Sequence, residues 1–386
     1  MRLQPGLPQE AGMSPTRIQH LEQMVEGWAH DGVSQAFVTV VARRGIIVSH
    51  QAVGKAGPDA DAPAVTKETL FPLSSVTKPF TATAAMILVD RGLLCISFPV
   101  SHYIPEFVGE GKERVLVHQL MTHTSGLRNS DVSEHIRKKE GTVQVPPPEP
   151  TQHPDLHRRL YLGYDAPLWK PAGTEMSYCS YGVELLGEIV RRVSGQSLEQ
   201  FCRDNIFEPI GMRDTFFVVP QTEHERVIRR SPDVPGGGWY HSPEALSRPS
   251  AAGGAYSTAL DIAKFGQMFL NKGTYGEHRI LSAAAVTEMT RDQVPDVSAT
   301  YGAQFFKQAS YGYCWPVNGN KKDSGDLFSA QALVCGGAGG VNITIDPGYD
   351  TVHVYFSIDN RRNDGYGVWC PTMNLFHNAG IAAIED

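Results

Sequence analysis

The sequence predicts an α/β chain of the α+β kind, with one antiparallel sheet built from both chain termini and flanked by helices. Two β-type runs lie near the N-terminus, at residues 36–42 and 46–50, and two more lie near the C-terminus, at residues 341–346 and 351–358. Mostly helical patterns fill the middle of the chain. Strands at both ends with helices between them favour a single sheet that both termini build, beside a mostly helical subdomain.

Turn and cap residues define the first elements of this prediction. Ser14 and Pro15 are typical of a helix start, and Gly32 of its end, with an apolar face between them. The turn at Arg44 and Gly45 joins the first two strands into a hairpin. Residues 347–350 join the last two strands in the same way, and a short helix over about 372–383 ends the chain.

The length of 386 residues is more than one simple core usually needs. We therefore predict one catalytic unit over residues 1–386 with two parts. The sheet subdomain takes approximately residues 1–74 and 255–386, and the helical subdomain approximately residues 75–254. A functional site is expected between the two parts.

The composition excludes several classes of protein. A net charge of −7 without a basic cluster argues against a nucleic-acid partner. No run approaches 18 apolar residues, so we expect no membrane insertion. The first ten residues lack the apolar core of an export signal, which predicts a cytoplasmic protein. The six cysteines form no C-x-x-C pair and show no metal-ligand spacing, so in a cytoplasmic chain we expect free thiols and no metal site. We also expect no cofactor.

The chemistry centres on Ser75 and Lys78, which form the only S-x-x-K of the sequence. Three residues span nearly one helical turn, so the lysine can reach the serine hydroxyl. A serine hydroxyl is a poor nucleophile until a base takes its proton, and a desolvated lysine with a lowered pKa can be that base. Pro79 places a helix start close to Ser75, and the apolar run over 80–94 predicts that this helix is buried.

Two long segments interrupt the helical pattern, at residues 129–169 and 218–250. The first contains the proline-rich run 146–150, and the second contains the glycine-rich run 235–240. We interpret both as long loops. Such loops are linkers or functional segments, and these two are equally consistent with a linker role and with walls of the substrate pocket.

Five segments, in order, resemble the serine β-lactamase and penicillin-binding-protein superfamily, in its class C-like branch and closest to the family VIII carboxylesterases. These segments are Ser75-x-x-Lys78, residues 117–127, residues 171–180, residues 253–261 and residues 336–340. The second contains a threonine-histidine-threonine-serine-glycine run, and the third runs into the position of a Tyr-x-Asn motif. The likeness spans roughly residues 10–360.

The resemblance implies roles for individual residues. Tyr178 would point at Ser75 and relay a proton to the leaving group, provided that a cation such as Lys78 lowers its pKa. The backbone N–H groups of Ser75 and Ala338 would form the oxyanion hole. Substrate-pocket positions would be Ser180, Cys335, Gly336 and Gly337, where the two glycines let their strand approach the substrate closely.

The chain departs from the family pattern twice. Ser180 replaces the asparagine that contacts an amide side chain, and Cys335 replaces the lysine or histidine of the third motif. Without these groups, the resemblance implies a serine carboxylesterase for small neutral esters, acting through an acyl-enzyme on Ser75. The alternatives are an acyltransferase with the same site, a β-lactamase or DD-peptidase-like amidase, and an inactive binding protein on this scaffold.

Three further side chains are alternative candidates for catalytic roles. Tyr181 is the second choice for the relay tyrosine. Cys335 is the second choice for the nucleophile, although no histidine or aspartate flanks it. His123 could suggest a Ser-His-Asp triad, but a helix-end histidine is more often structural, and no G-x-S-x-G turn is present.

Overall fold

The fold is described from a computed structural model. The structure describes residues 1–234, 236–301, 304–319, 325–359 and 371–386. Of the sequence features above, Pro235 of the glycine-rich run and Cys370 lie outside the described residues.

The described residues form thirteen strands and thirteen α-helices. The strands are β1 (Gln4–Pro5), β2 (Ser34–Arg43), β3 (Ile46–Gly54), β4 (Phe71–Pro72), β5 (Met176–Ser177), β6 (Tyr256–Ser257), β7 (Thr274–Tyr275), β8 (His278–Arg279), β9 (Ala299–Tyr301), β10 (Gln304–Phe306), β11 (Leu333–Gly337), β12 (Val341–Asp346) and β13 (Thr351–Asp359). The helices are α1 (Pro15–His30), α2 (Lys78–Asp90), α3 (Val100–Tyr103), α4 (Val117–Met121), α5 (Asn129–Lys139), α6 (Pro154–Gly163), α7 (Ser180–Ser194), α8 (Leu198–Cys202), α9 (Glu208–Ile210), α10 (Pro243–Ser247), α11 (Ala259–Leu270), α12 (Ala283–Thr290) and α13 (Pro371–Ala382).

A six-stranded sheet combines both ends of the chain, as predicted. Its strand order is β1-β3-β2-β13-β12-β11, and all neighbours are antiparallel except the short edge pair β1 and β3. The hairpin turn between β2 and β3 has positive φ at both Arg44 and Gly45. Positive φ at both central residues matches the twist of the flanking strands, which explains the tight turn.

Helices cover both faces of this sheet. The terminal helices α1 and α13 pack on one face, and α11 packs on the other against β2, β12 and β13. The apolar face of α1 is buried at Ile18, Leu21 and Val25, as its sequence predicts. Ser14 holds the N-cap position of this helix without a side-chain capping bond. The sheet therefore lies between two helical layers, which matches the predicted fold class.

The buried helix α2 organises the middle of the chain. Residues 78–88 of α2 are all buried, and the helix packs against α7 and α8. This confirms the buried helix predicted after Ser75, although it ends at Asp90 rather than near residue 94. The subdomain boundaries proposed from the sequence remain a prediction.

Two sequence predictions need correction. The segment 129–169 is not one loop, because it contains α5 and α6; the segment 218–250 contains α10 and a 3₁₀ turn at Gln221–Arg226. Helix α5 buries only Val132 and Ile136, so its apolar pattern is too sparse to be recognised. The helix after Tyr178 begins at Ser180 with Cys179 as N-cap, one residue earlier than predicted.

No helix among the described residues combines the length and the apolar character needed to cross a bilayer.

Candidate active site

Ser75 lies in a 3₁₀ turn, Ser74–Thr77, that leads directly into α2. Lys78 is the first residue of α2 and Pro79 follows it, where the missing backbone N–H of proline costs no helical hydrogen bond. Ser75 is partly exposed, whereas Lys78 is only 2% exposed. The turn thus presents a hydroxyl to solvent and directs a lysine side chain into the interior.

Two side chains meet the Ser75 hydroxyl. Lys78 Nζ donates to Ser75 Oγ at 2.9 Å, and the Tyr178 hydroxyl donates to the same oxygen at 2.9 Å. Lys78 Nζ also donates to the Ala252 carbonyl at 2.8 Å and lies 4.8 Å from the centre of the Tyr178 ring. The structure therefore brings together the three residues that the sequence selected.

Tyr178 stands in the short connection between β5 and α7, and His123 supports it. The two rings have centroids 4.4 Å apart, and His123 Nδ1 accepts the Cys179 N–H at 3.2 Å. Burial, with a smaller effect from Lys78, lowers the pKa of His123 to about 3. His123 is therefore neutral at physiological pH and packs behind the tyrosine, in agreement with the structural role expected for it.

The pKa of Tyr178 differs from the sequence expectation. Lys78 was expected to lower it, but burial raises the pKa of Tyr178 well above its usual value, and the hydrogen bond with Ser75 offsets only part of this effect. Desolvation disfavours the charged phenolate more than the neighbouring groups stabilise it. The resting site therefore contains a protonated phenol that donates to Ser75.

The second-choice tyrosine is directed elsewhere. The Tyr181 hydroxyl donates to the Leu160 carbonyl at 2.8 Å, and the residue is 1% exposed. Its hydroxyl joins α7 to α6 inside the helical core. Of the two tyrosines, Tyr178 is the one that contacts Ser75.

The C-terminal end of β11 lies against the backbone that precedes Ser75. A Cβ atom on Gly337 would lie 2.2 Å from the Leu73 carbonyl oxygen, so only glycine allows this approach. Ser74 Oγ donates to the Ala338 carbonyl at 2.9 Å and hydrogen-bonds to the Tyr240 hydroxyl at 2.8 Å. These contacts hold Ala338 beside the Ser75 turn, where the sequence analysis places the oxyanion hole.

Ser74 itself has an unusual backbone. Its φ of 46° lies in the left-handed region, which a residue with a Cβ adopts at a cost of order 1–3 kcal/mol. The contacts with Tyr240 and Ala338 compensate for this strain. The strained residue immediately precedes Ser75, as is common where a fold must aim a functional side chain.

Cys335 lies beneath the site rather than in its opening. Its Sγ is 3.8 Å from the Ser75 carbonyl oxygen, and burial raises the pKa of the thiol to about 12. A neutral, buried thiol is a poor nucleophile. The geometry thus favours the interpretation of Cys335 as a small residue that packs beside Ser75.

A cavity of about 410 Å³ opens onto Ser75, and both interrupted segments contribute to its wall. Ser75, Lys78, Ser180 and Ala338 line it, but Cys335, Gly336 and Gly337 do not belong to its described lining. The first segment contributes Arg159. The second contributes several residues, namely Trp239, Tyr240, Ala245, Arg248 and Ser250. These segments therefore shape the cavity, which the sequence had left undecided.

Sequence reasoning did not select Ser74, Tyr240 or Glu184, although all three line this cavity. Ser74 and Tyr240 are 166 positions apart, and Glu184 meets the 250–252 turn from more than 60 positions away. No local pattern marks such contacts. A serine directly before a candidate nucleophile is the one signal that could have drawn attention to Ser74.

Comparisons with known proteins agree with this geometry. A family model described as Beta-lactamase matches residues 19–368. An uncharacterized protein of Mycobacterium tuberculosis is 29% identical over 358 residues, which cover 84% of this chain and 86% of that protein. Esterase EstB of Burkholderia gladioli is 35% identical over 196 residues, which cover 48% of each chain.

Solved structures show the same fold. A penicillin-binding protein homologue from Caulobacter crescentus has a TM-score of 0.77 at 22% identity, covering 96% of this chain and 99% of that one. A family VIII carboxylesterase has a TM-score of 0.75 at 22% identity, covering 97% and 98%. At this identity the likeness concerns the fold alone. The family match over most of the chain shows that this protein belongs to the β-lactamase family, within the superfamily of serine β-lactamases and penicillin-binding proteins.

Proposed function

We propose that this protein hydrolyses small neutral carboxylic esters through an acyl-enzyme on Ser75. The observation that carries the proposal is the position of Ser75 Oγ, 2.9 Å from both Lys78 Nζ and the Tyr178 hydroxyl, at the wall of an open cavity. A nucleophile within hydrogen-bond reach of a base, with a second proton carrier beside it, is the arrangement that acyl transfer requires.

The reaction follows from these contacts. Ser75 Oγ attacks the ester carbonyl carbon while its proton passes to Lys78 Nζ, which accepts it when the amine is in its neutral form. The N–H groups of Ser75 and Ala338 stabilise the oxygen that becomes negative. The carbon–oxygen bond to the alcohol then breaks, and Tyr178 delivers a proton to the leaving oxygen. Water attacks the acyl-enzyme, and the acid leaves as Ser75 recovers its proton.

Tyr178 acts in this scheme as a neutral phenol. Its raised pKa means that it does not serve as the resting base, a role that falls to Lys78. A neutral phenol passes its proton to the leaving group and regains one from Lys78, so charge never needs to rest on the tyrosine. Lys78 and Tyr178 therefore act as one proton-transfer unit.

The side chains around Ser75 support an ester rather than a β-lactam. Ser180 lines the cavity where the family has an amide side chain, and Cys335 provides no cation beside Ser75. The relation to esterase EstB of Burkholderia gladioli favours the same substrate class. An acyltransferase would use the same three residues with an alcohol or amine in place of water.

Two substrates compared on one preparation test the proposal. We expect clear turnover of p-nitrophenyl butyrate and weak turnover, at most, of the chromogenic cephalosporin nitrocefin. If kcat/KM for nitrocefin equals or exceeds that for the ester, the protein is a β-lactamase. If neither compound is cleaved and a fluorophosphonate does not label the protein, the scaffold serves as a binding protein.

A second pair of substrates tests whether the preferred ester is neutral. Arg159 and Arg248 line the cavity, so an ester with a distal carboxylate is the informative competitor. We expect the butyrate ester to have a higher kcat/KM than the p-nitrophenyl monoester of succinic acid, because position 335 offers no cation beside Ser75. The reverse order would assign a substrate carboxylate to the arginines.

We infer a cytoplasmic location and a small-molecule partner. All five cysteines of the described residues, Cys95, Cys179, Cys202, Cys314 and Cys335, are free thiols. Free thiols are usual in reducing compartments, and the net charge of −7 disfavours nucleic acid. Cell fractionation tests the location, and recovery of the protein in the periplasm would contradict it.

A further inference from the structure

The carboxylate of Glu184 on α7 binds one turn of the chain, residues 250–252. Ser250 Oγ donates to Glu184 Oε1, the Ala252 N–H donates to the same oxygen at 3.3 Å, and the Ala251 N–H donates to Oε2 at 3.0 Å. Three donors on a single carboxylate fix both the position and the orientation of this turn. Hydrogen bonds to an ionised group are also stronger than those between neutral groups.

The carbonyl groups of the same turn face α2. The Ala251 carbonyl accepts from Thr81 Oγ1 at 2.7 Å, and the Ala252 carbonyl accepts from Lys78 Nζ at 2.8 Å. The turn thus connects the carboxylate of Glu184 on one side with the amine of Lys78 on the other. Lys78 in turn reaches Ser75 Oγ at 2.9 Å.

A glycine in the middle of α7 lets the helix approach this turn. A Cβ atom on Gly187 would lie 2.6 Å from the Ala251 Cβ, closer than carbon atoms tolerate. Glycine is less favourable than alanine inside a helix. The close packing of α7 against residues 250–252 therefore explains why the helix has glycine at position 187.

We propose that Glu184 is a positioning residue for the Ser75 hydrolase, which sets the direction of the Lys78 amine through the Ala252 carbonyl. A lysine side chain has four rotatable bonds, and an amine acts as a base only when its lone pair faces the proton that it takes. The Ala252 carbonyl binds one N–H of the amine and so restricts how the amine can rotate. The inference rests on the proposed function, because it concerns the proton transfer from Ser75.

The contacts of Glu184 argue against two simpler roles. Its oxygens are bound by three donors of the turn, and no hydrogen bond among the described residues joins it to Ser75, so it is not itself the base. The described part of the chain also gives it no ion pair. Because all three donors come from residues 250–252, the Glu184 carboxylate is placed to hold this turn in position.

Glu184→Ala and Glu184→Gln test the proposal. For Glu184→Ala with p-nitrophenyl butyrate, we expect kcat to fall about 10²-fold with little change in KM, the size of effect that a misplacement of about 1 Å produces. Glu184→Gln should lose about 10-fold, because its amide oxygen still accepts a backbone N–H. Labelling by a small fluorophosphonate should slow in parallel, since that reaction needs the same proton transfer.

Glu188→Gln is the matched control. Glu188 lies one turn further along α7 and binds Arg191 and Arg192, so its substitution removes buried ion pairs and should lower Tm while kcat stays near wild type. If Glu188→Gln lowers kcat as much as Glu184→Gln, the effect is general destabilisation, and the proposal is wrong. If Glu184→Ala does not fold, Glu184→Gln and Ser250→Ala carry the same test.

A change confined to KM, with normal phosphonate labelling, would also overturn the proposal and make Glu184 a substrate contact. Different results would contradict the hydrolase function and the positioning role of Glu184. If wild-type protein neither cleaves the ester nor reacts with the phosphonate, the proposed hydrolase function fails. If wild-type protein does both and Glu184→Ala does so equally well, only the positioning role fails.

Discussion

Replacing Tyr178 by phenylalanine removes one oxygen from the centre of the site. The lost hydroxyl donates to Ser75 Oγ at 2.9 Å, while the ring, which packs 4.4 Å from His123 and beneath Lys78 Nζ, remains. Because the raised pKa of Tyr178 keeps the phenol neutral, the substitution leaves the charge of the site unchanged. The variant therefore isolates the proton that Tyr178 carries.

The expected loss of activity is large compared with the expected loss of stability. A general acid–base group contributes at least about 10²-fold to the rate, which corresponds to about 2.7 kcal/mol of transition-state stabilisation. One hydrogen bond contributes about 1 kcal/mol to folding, so Tm should fall by only a few degrees. We expect kcat for p-nitrophenyl butyrate to fall and KM to change little.

Tyr181→Phe is the control, because it removes a hydroxyl that bonds to Leu160 and not to Ser75. It should reduce Tm without reducing kcat beyond about threefold. Lys78→Ala combined with Tyr178→Phe should cost far less than the product of the single losses, since the two residues act as one unit. Near-normal rates for Tyr178→Phe would refute the reasoning and move the proton relay to Tyr181 or to water.

Two further predictions concern buried groups. Cys335→Ala should keep ester turnover and phosphonate labelling within about threefold of wild type, because burial raises the pKa of this thiol to about 12 and leaves no thiolate; a complete loss of both would assign the nucleophile to Cys335. Burial lowers the pKa of His123 to about 3 and that of His353 to about 4, and it lowers the pKa of His377 well below its usual value. The unfolded chain therefore binds more protons below about pH 6.5, so stability is lost as pH falls from there toward 4, by about 1.4 kcal/mol per pH unit for each histidine. Urea unfolding at pH 7 and pH 5 measures this loss, and equal free energies of unfolding would contradict it.

The predictable part of the fold is the part with strong local patterns. Runs rich in β-branched and aromatic residues at 36–42 and 351–358 predict strands, and the structure pairs these two segments directly. The largely apolar run after Lys78 predicts a buried helix, which the structure confirms. By contrast, α5 buries only two apolar residues, and its sequence therefore reads as a loop although it is a regular helix.

The candidate site also contains some contacts that local sequence patterns predict and others that they do not. The contact between Ser75 and Lys78 follows from a spacing of three residues at a helix start, so the sequence alone predicts it. Tyr178 enters only through the family resemblance, because 103 positions separate it from Ser75. Its raised pKa depends on how deeply the fold buries the phenol, and no residue pattern carries that information.

The contacts of Ser74 with Tyr240 and of Glu184 with residues 250–252 depend on where loops lie in the folded chain. Their residue types are common, and neither pair has a characteristic spacing. Such contacts become visible only when the tertiary structure brings the segments together.

The central claim is that Ser75 is the nucleophile, and intact mass after treatment with a fluorophosphonate tests it most directly. Wild-type protein should gain the mass of one phosphonyl group, whereas Ser75→Ala should gain none and should keep a Tm near that of wild type, since only one hydroxyl is lost. Labelling that persists on Ser75→Ala would contradict the account, and peptide mapping would then identify the residue that reacts.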